Sequence, residues 1–147
     1  MFPVIKNGVN NVFSFILPVP LHRKDTPSIC IEHYYTDEEI KTPARINSIE
    51  RRLYMGNEFD DDGVGIDTDI ICTDRNSCGE NSIKVIDGSN NRPIHTMRDK
   101  KRINLALSKM QFAENILHKE DGFDKMNFDN FRLIFDVVKK ILDEPLV

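Results

Sequence analysis

The segment "NFDNFRLIFDVVKKILDEP" places Phe128, Phe131, Ile134, Phe135, Val138, Ile141 and Leu142 at intervals of three and four. That spacing returns each side chain to one side of a helix, so it predicts a helix that starts at Asn127 or Asp129 and stops at Pro145. Burying one large apolar side chain contributes roughly 1.5–3 kcal/mol, so a stripe of this size is expected in the core. A helix with one apolar side also needs a second layer, and a sheet from the preceding residues is the available one.

The rest of the chain supplies that sheet unevenly. From Val12 to Leu17 apolar and aromatic residues alternate up to Pro18 and Pro20, which predicts a strand covered on both faces. The run "SICIEHYY" predicts a second strand, with Ile29, Ile31 and His33 on one side and Cys30, Glu32 and Tyr34 on the other. "TDEEIKT" carries a capping-box signature, Thr36 with Glu39, for about one helical turn before Pro43. "RRLYM" predicts a short strand from about Arg52 to Met55. Residues 56–99 are rich in Gly, Asn and Asp, interrupted by "DIIC" and "SIKVID", and are expected to be loops with one or two short strands. "SKMQFAENILHK" predicts another helix, capped by Ser108 and Gln111, with Phe112, Ala113, Ile116 and Leu117 at helical spacing and Gly122 as its stop. The expected fold is α+β and a single domain over 1–147. It has strands and a short helix in 1–55, a long irregular middle segment in 56–99, and two amphipathic C-terminal helices in 100–147 packed on a small, mostly antiparallel sheet.

At 147 residues, 39% apolar and 30% charged, the composition suits one globular core. A net charge of −4 of mixed sign excludes a strongly basic nucleic-acid-binding chain. The longest apolar stretch, "NVFSFILPVPL", is far shorter than the roughly 20 residues of a spanning helix, so no membrane association is expected. The opening residues lack the charged, apolar and small-residue order of an export signal, so a cytoplasmic location is expected. Cys30, Cys72 and Cys78 lack zinc-knuckle spacing and are expected to be reduced, small side chains.

The stretch "GNEFDDDGVGIDTDIICTD" holds six aspartates and one glutamate in nineteen positions, three of which are glycine. Aligned to a helix-loop-helix calcium site with Gly63 sixth, Glu58, Asp60, Asp62 and Asp69 fall at the first, third, fifth and twelfth positions. Gly65 then occupies the eighth position, where an apolar residue is needed, and Asp69 is shorter than the usual Glu. A Mg²⁺ or Mn²⁺ site asks for less: two or three carboxylates beside a phosphate, which Asp67 and Asp69 with Glu58 or Asp60 could supply. A hydrated loop needing no cofactor is the simpler expectation. The basic turn His22, Arg23 and Lys24 is a candidate contact for nucleic acid or a partner. His33 beside Glu32 is not expected to form an acid–base pair, and each histidine is expected to be half-buried or at the surface. No serine elbow or phosphate-cradling glycine motif occurs.

Taken in order, "FILPVPLHR", "SICIEHYYTDEEIKT", "RRLYMGNEF", "ALSKMQFAENI" and "NFDNFRLIFDVVKKI" resemble the C-terminal region of bacterial Toprim-containing, overcoming-lysogenization-defect-like phage-defence nucleases and ATPases. The resemblance implies a metal-dependent core located elsewhere. This chain has no ATP-binding loop and no glutamate–glycine opening of a Toprim fold, and its "DTD" lies after the first two strands, so no catalytic residue carries over. Two functions are therefore expected in alternative. The first is a non-catalytic accessory or interaction domain that serves a nuclease or ATPase core protein, with nucleic acid as a further partner. The second is a divalent-metal-dependent phosphoryl hydrolase that uses the acidic loop 58–69.

Overall fold

The computed structural model describes residues 4–7, 12–26, 28–89 and 92–143. In chain order these form β1 (Val4–Asn7), β2 (Val12–Phe15), α1 (Asp37–Ile40), β3 (Ala44–Ile46), β4 (Ile49–Arg51), β5 (Tyr54–Met55), β6 (Ile70–Cys72), β7 (Val85–Ile86), β8 (Ile94–Thr96), α2 (Lys109–Leu117) and α3 (Arg132–Asp143). The class is α+β, with antiparallel two-stranded pairs in place of one continuous sheet: β1 with β2, β3 with β4, β5 with β7 and β6 with β8. No helix among the described residues is long and apolar enough to cross a membrane. The chain divides into two compact units, Met1–Tyr34 with Asn127–Val147, and Tyr35–Met126.

In the first unit, β1 and β2 pair in the register Val4↔Phe15 to Asn7↔Val12. The strand ends at Phe15, earlier than expected, and both faces are not covered: Ser14, Ile16 and Leu17 are exposed while Pro18 and Pro20 are buried. Prolines that close a strand remove ladder donors, so the chain leaves the pairing before it reaches them. The expected second strand is instead a 3-10 turn over Ile31–Tyr34. Cys30 N–H donates to His33 Nδ1 at 2.9 Å, and His33 N–H returns to the Cys30 carbonyl at 3.0 Å. This local closure outcompetes a ladder and buries Glu32, His33 and Tyr34 consecutively, which strand alternation cannot do. The Tyr34 hydroxyl donates to the Pro18 carbonyl. The Tyr34 ring stacks tilted on Phe131 at 5.1 Å, and Asn130 Nδ2 donates to the Tyr34 carbonyl at 3.0 Å.

Helix α3 forms over the later part of the periodic run: it starts at Arg132, after a 3-10 turn over Asp129–Phe131, and not at the expected Asn127 or Asp129, while the expected stop at Pro145 lies outside the described residues. The stripe is nevertheless not buried as a whole. At about 100° per residue, Leu133, Ile134, Val137 and Ile141 share one arc of the helix; Val137 is buried and the other three are half-buried. The adjoining arc carries Phe135, Val138 and Leu142, which are 66%, 39% and 78% exposed. Arg132, Asp136, Lys139, Lys140 and Asp143 complete the circle. The helix is thus apolar over about twice the arc that is covered.

In the second unit both capping boxes form as the sequence predicts. Thr36 accepts from Glu39 N–H at 3.2 Å and heads α1; Ser108 accepts from Gln111 N–H at 3.0 Å and heads α2. The hairpin β3–β4 turns through Asn47 and Ser48 with φ of 51° and 68°, the two left-handed residues that a tight two-residue turn needs. The loop-rich middle is the core of this unit and not its periphery. Tyr54, Phe59, Cys72, Ile86, Ile94 and Ala106 pack together, with Ile70, Cys78 and Leu105 against them. Short strands suffice because each contributes one or two inward side chains. Phe112 meets Phe123 edge-on at 5.8 Å and Tyr35 at 5.7 Å, which anchors α2, whereas Ala113 and Leu117 of its expected apolar side are exposed.

Candidate functional site

The acidic loop is a tightly laced fold. Glu58 lies in a 3-10 turn, and its carboxylate grips Arg52 at 2.7 and 3.3 Å while accepting Met55 N–H at 2.8 Å. Arg52 also donates to the Leu53 carbonyl and stacks over the Tyr54 ring at 3.7 Å. Asp60 Oδ1 accepts the backbone N–H groups of Asp62 and Val64, each at 2.9 Å, which shapes the turn. Backbone bonds Asp60 to Val64, Gly65 to Ile70, Ile66 to Glu58 and Cys72 to Gly63 close the loop on itself. Gly63 sits at φ 80°, where a side chain would be strained and would run into the Cys72 carbonyl. Asp67, at φ 63°, and Asp69 project from this frame and are exposed.

These positions bear directly on metal chemistry. Glu58 and Asp60 are engaged in holding the chain, and Asp67 and Asp69 point to solvent. Among the described residues no group of three or more His, Cys, Asp or Glu side chains is placed to hold a metal ion.

The basic turn is divided by its own fold. Residues Leu21–Arg23 form a 3-10 turn in which Arg23, 7% exposed, points inward and its Nε donates to the His33 carbonyl at 3.0 Å. His22 and Lys24 remain at the surface, with His22 Nδ1 3.5 Å from Asn130 Nδ2. A guanidinium held on the His33 carbonyl acts as a structural pin and leaves a smaller cationic surface than three adjacent basic residues suggest.

Two thiol arrangements were not legible in the sequence. Cys30 Sγ lies 3.3 Å from His33 Nδ1, and a Cys–His pair is the starting point of a nucleophile. The neutral ring nitrogen has a single lone pair, however, and Cys30 N–H already occupies it at 2.9 Å, so the imidazole is committed to the turn. The i, i+3 spacing of Cys30 and His33 was the available signal, since a 3-10 turn eclipses those positions. Cys72 and Cys78 converge on the Asp74 carbonyl at 3.7 and 3.2 Å. Burial pushes both thiols up, that of Cys78 to about 12, and their mutual hydrogen bond and the Asp74 charge add to the Cys78 shift. Neither is a nucleophile near neutral pH. His33 and His95 are buried, contrary to the expected half-buried or surface placement, while His22 and His118 are exposed.

No family model, curated protein or solved structure matches this chain.

Proposed function

We propose that this chain is a non-catalytic interaction module that docks a partner protein through the uncovered apolar flank of α3. The observation that carries this reading is the pairing of Phe135, Val138 and Leu142 on one side of the helix, all exposed, beside an arc that is already packed. Within the same unit Ile16, Leu17, Val19 and Leu21 are exposed as well. Apolar surface of this kind, arranged at i, i+3 and i+7, suits recognition by a complementary groove. The structural commitments of Glu58 and Asp60 favour this over the hydrolase reading. The resemblance to the tails of Toprim-type nucleases and defence ATPases makes such a core protein the first partner to try.

The test uses Phe135→Asp and Leu142→Asp. Each is expected to leave the thermal midpoint within a few degrees, because the side chains are mostly in water, and to abolish stoichiometric co-purification with a co-expressed core protein. A large loss of stability in both variants would place these residues in the core and sink the reading. So would full retention of the complex.

A further inference from the structure

A cleft of about 500 Å³ in the second unit carries chemistry of a different kind, independent of α3. Its walls include Arg51, Arg92 and Lys101, with Ser89 beside them and Ile49 and Ile103 as apolar facing. We propose that this cleft binds a small molecule through a terminal phosphate group, with the three cations closing on the phosphate oxygens.

The charge arrangement follows from the local fold. On β4 successive side chains alternate, so Ile49 and Arg51 line this cleft while Glu50 lies on the opposite face, lining a second cavity with Glu114, Glu120 and Asp121. The hairpin thereby separates Arg51 from Glu50, which shares its own side with Arg45. No carboxylate is among the described residues that line the cationic cleft. The acidic residues that precede its other walls, Asp87 and Asp99, are turned onto the backbone. Asp87 accepts Ser89 N–H at 3.0 Å and Lys109 N–H at 3.3 Å, and Asp99 accepts Lys101 N–H at 2.9 Å and Ile103 N–H at 2.6 Å. These bonds build the cleft walls and leave the Lys101 ammonium and the Arg51 guanidinium without an ion pair among the described residues.

Arg51 gives the second observation. Its Nε–H is sealed from solvent and meets no acceptor among the described residues, an uncommon state for a charged donor. The guanidinium is thus not spent on the protein, and its fork geometry matches a phosphate. The walls are fixed in place. Arg92 Nη1 donates to the Lys101 carbonyl at 3.3 Å, Asn104 Nδ2 to the Gly88 carbonyl at 2.7 Å, and Gly88 N–H to the Leu107 carbonyl at 3.0 Å. An added Cβ at Gly88 would overlap the Ala106 carbonyl, so only glycine allows this approach. Three cations gathered at one open cleft of an acidic chain favour a small ligand over a nucleic-acid strand, which needs an extended basic track.

The experiment is calorimetric titration of the full chain with inorganic phosphate, with ribose 5-phosphate, and with a single-stranded oligonucleotide lacking terminal phosphates. Ribose 5-phosphate or phosphate is expected to bind at one site, weakened about tenfold or more by Arg51→Gln and by Lys101→Gln, and unchanged by Lys125→Gln outside the cleft. Tighter binding of the ester identifies an organic phosphate as the ligand; equal binding identifies free phosphate, and both support the site. Lys101 is exposed, so Lys101→Gln keeps the test valid if Arg51→Gln fails to fold. The proposal is overturned if neither phosphate binds, if the folded cleft variants bind like the wild type, or if the oligonucleotide binds there as tightly.

Discussion

Glu58 separates a structural carboxylate from a metal ligand, and its removal has a calculable effect. Its side chain is 19% exposed and that of Arg52 25%, so their pair is neither a surface ion pair nor a buried one. Fully exposed pairs contribute about 0.2–1 kcal/mol, and breaking a fully buried pair costs about 3–5 kcal/mol. A two-pronged contact at this depth falls near 1–2 kcal/mol, roughly midway. The charge-assisted bond from Met55 N–H at 2.8 Å adds about 1.5 kcal/mol, the low end for a bond to a charged group. Lys41, at 3.9 Å, adds little. Arg52 keeps its bond to the Leu53 carbonyl and its stack on Tyr54, which limits the loss. Glu58→Ala is therefore expected to destabilise the second unit by about 2–3 kcal/mol, or to lower its thermal midpoint by roughly 10–20 °C. Urea denaturation of wild type, Glu58→Ala, Arg52→Met and the double variant gives the coupling directly, expected near 1 kcal/mol. A loss under about 0.5 kcal/mol with no coupling would refute the structural role. Repeating the melts with Mg²⁺ or Mn²⁺ tests the other reading, since a bound metal would raise the wild-type midpoint and Asp67→Ala with Asp69→Ala would remove the rise.

Further outcomes follow from other sites. Burial alone would push the Asp87 carboxyl up, but hydrogen bonds from Ser89 and Lys109 outweigh it and hold the group below its ordinary 3.8. Its stabilising contribution is present above 3.8 and is lost as pH falls through the lowered folded value, so Asp87→Asn should flatten the acid limb of a stability-versus-pH profile. An unchanged acid limb would show that those bonds are not made. The raised Cys78 thiol acts in the opposite direction: its contribution is complete below its ordinary 9.0 and is lost as pH rises through about 12. Iodoacetamide at pH 8 should modify Cys78 much more slowly in the folded chain than in urea, and equal rates would contradict the burial. Gly56→Ala should cost about 1–3 kcal/mol or more, because the new methyl overlaps the Ser77 carbonyl and the Ser82 side chain; a neutral result by thermal melting would mean that the 56–82 contact is loose. Phe59→Ala, at the centre of the second unit, should cost about 3–5 kcal/mol in the same assay, in contrast to the small effect of Phe135→Asp.

What the sequence by itself determined is local. The boxes at Thr36 with Glu39 and Ser108 with Gln111 involve atoms three residues apart, and a side chain reaching one backbone N–H needs no distant partner. The helical period over Arg132–Asp143 is local in the same sense. Which part of that period is covered depends on how much surface the rest of the chain brings against it. Val137 is buried and Phe135 exposed although both are apolar and stand two residues apart. The turn at Ile31–Tyr34 alternates like a strand in sequence and was decided by a bond from Cys30 to the His33 ring. Arg23 stands beside His22 and Lys24 in the chain, yet the fold spends it on a carbonyl ten residues away. Glu58 reads as one acidic residue among many until Arg52 is brought to it. The cationic cleft is the extreme case, since Arg51, Ser89, Arg92 and Lys101 have no common pattern in the chain and meet only because β4 and the two Asp-anchored turns fold together. Periodicity and capping are properties of neighbours along the chain; burial and charge pairing are properties of neighbours in space, and only the tertiary structure supplies those.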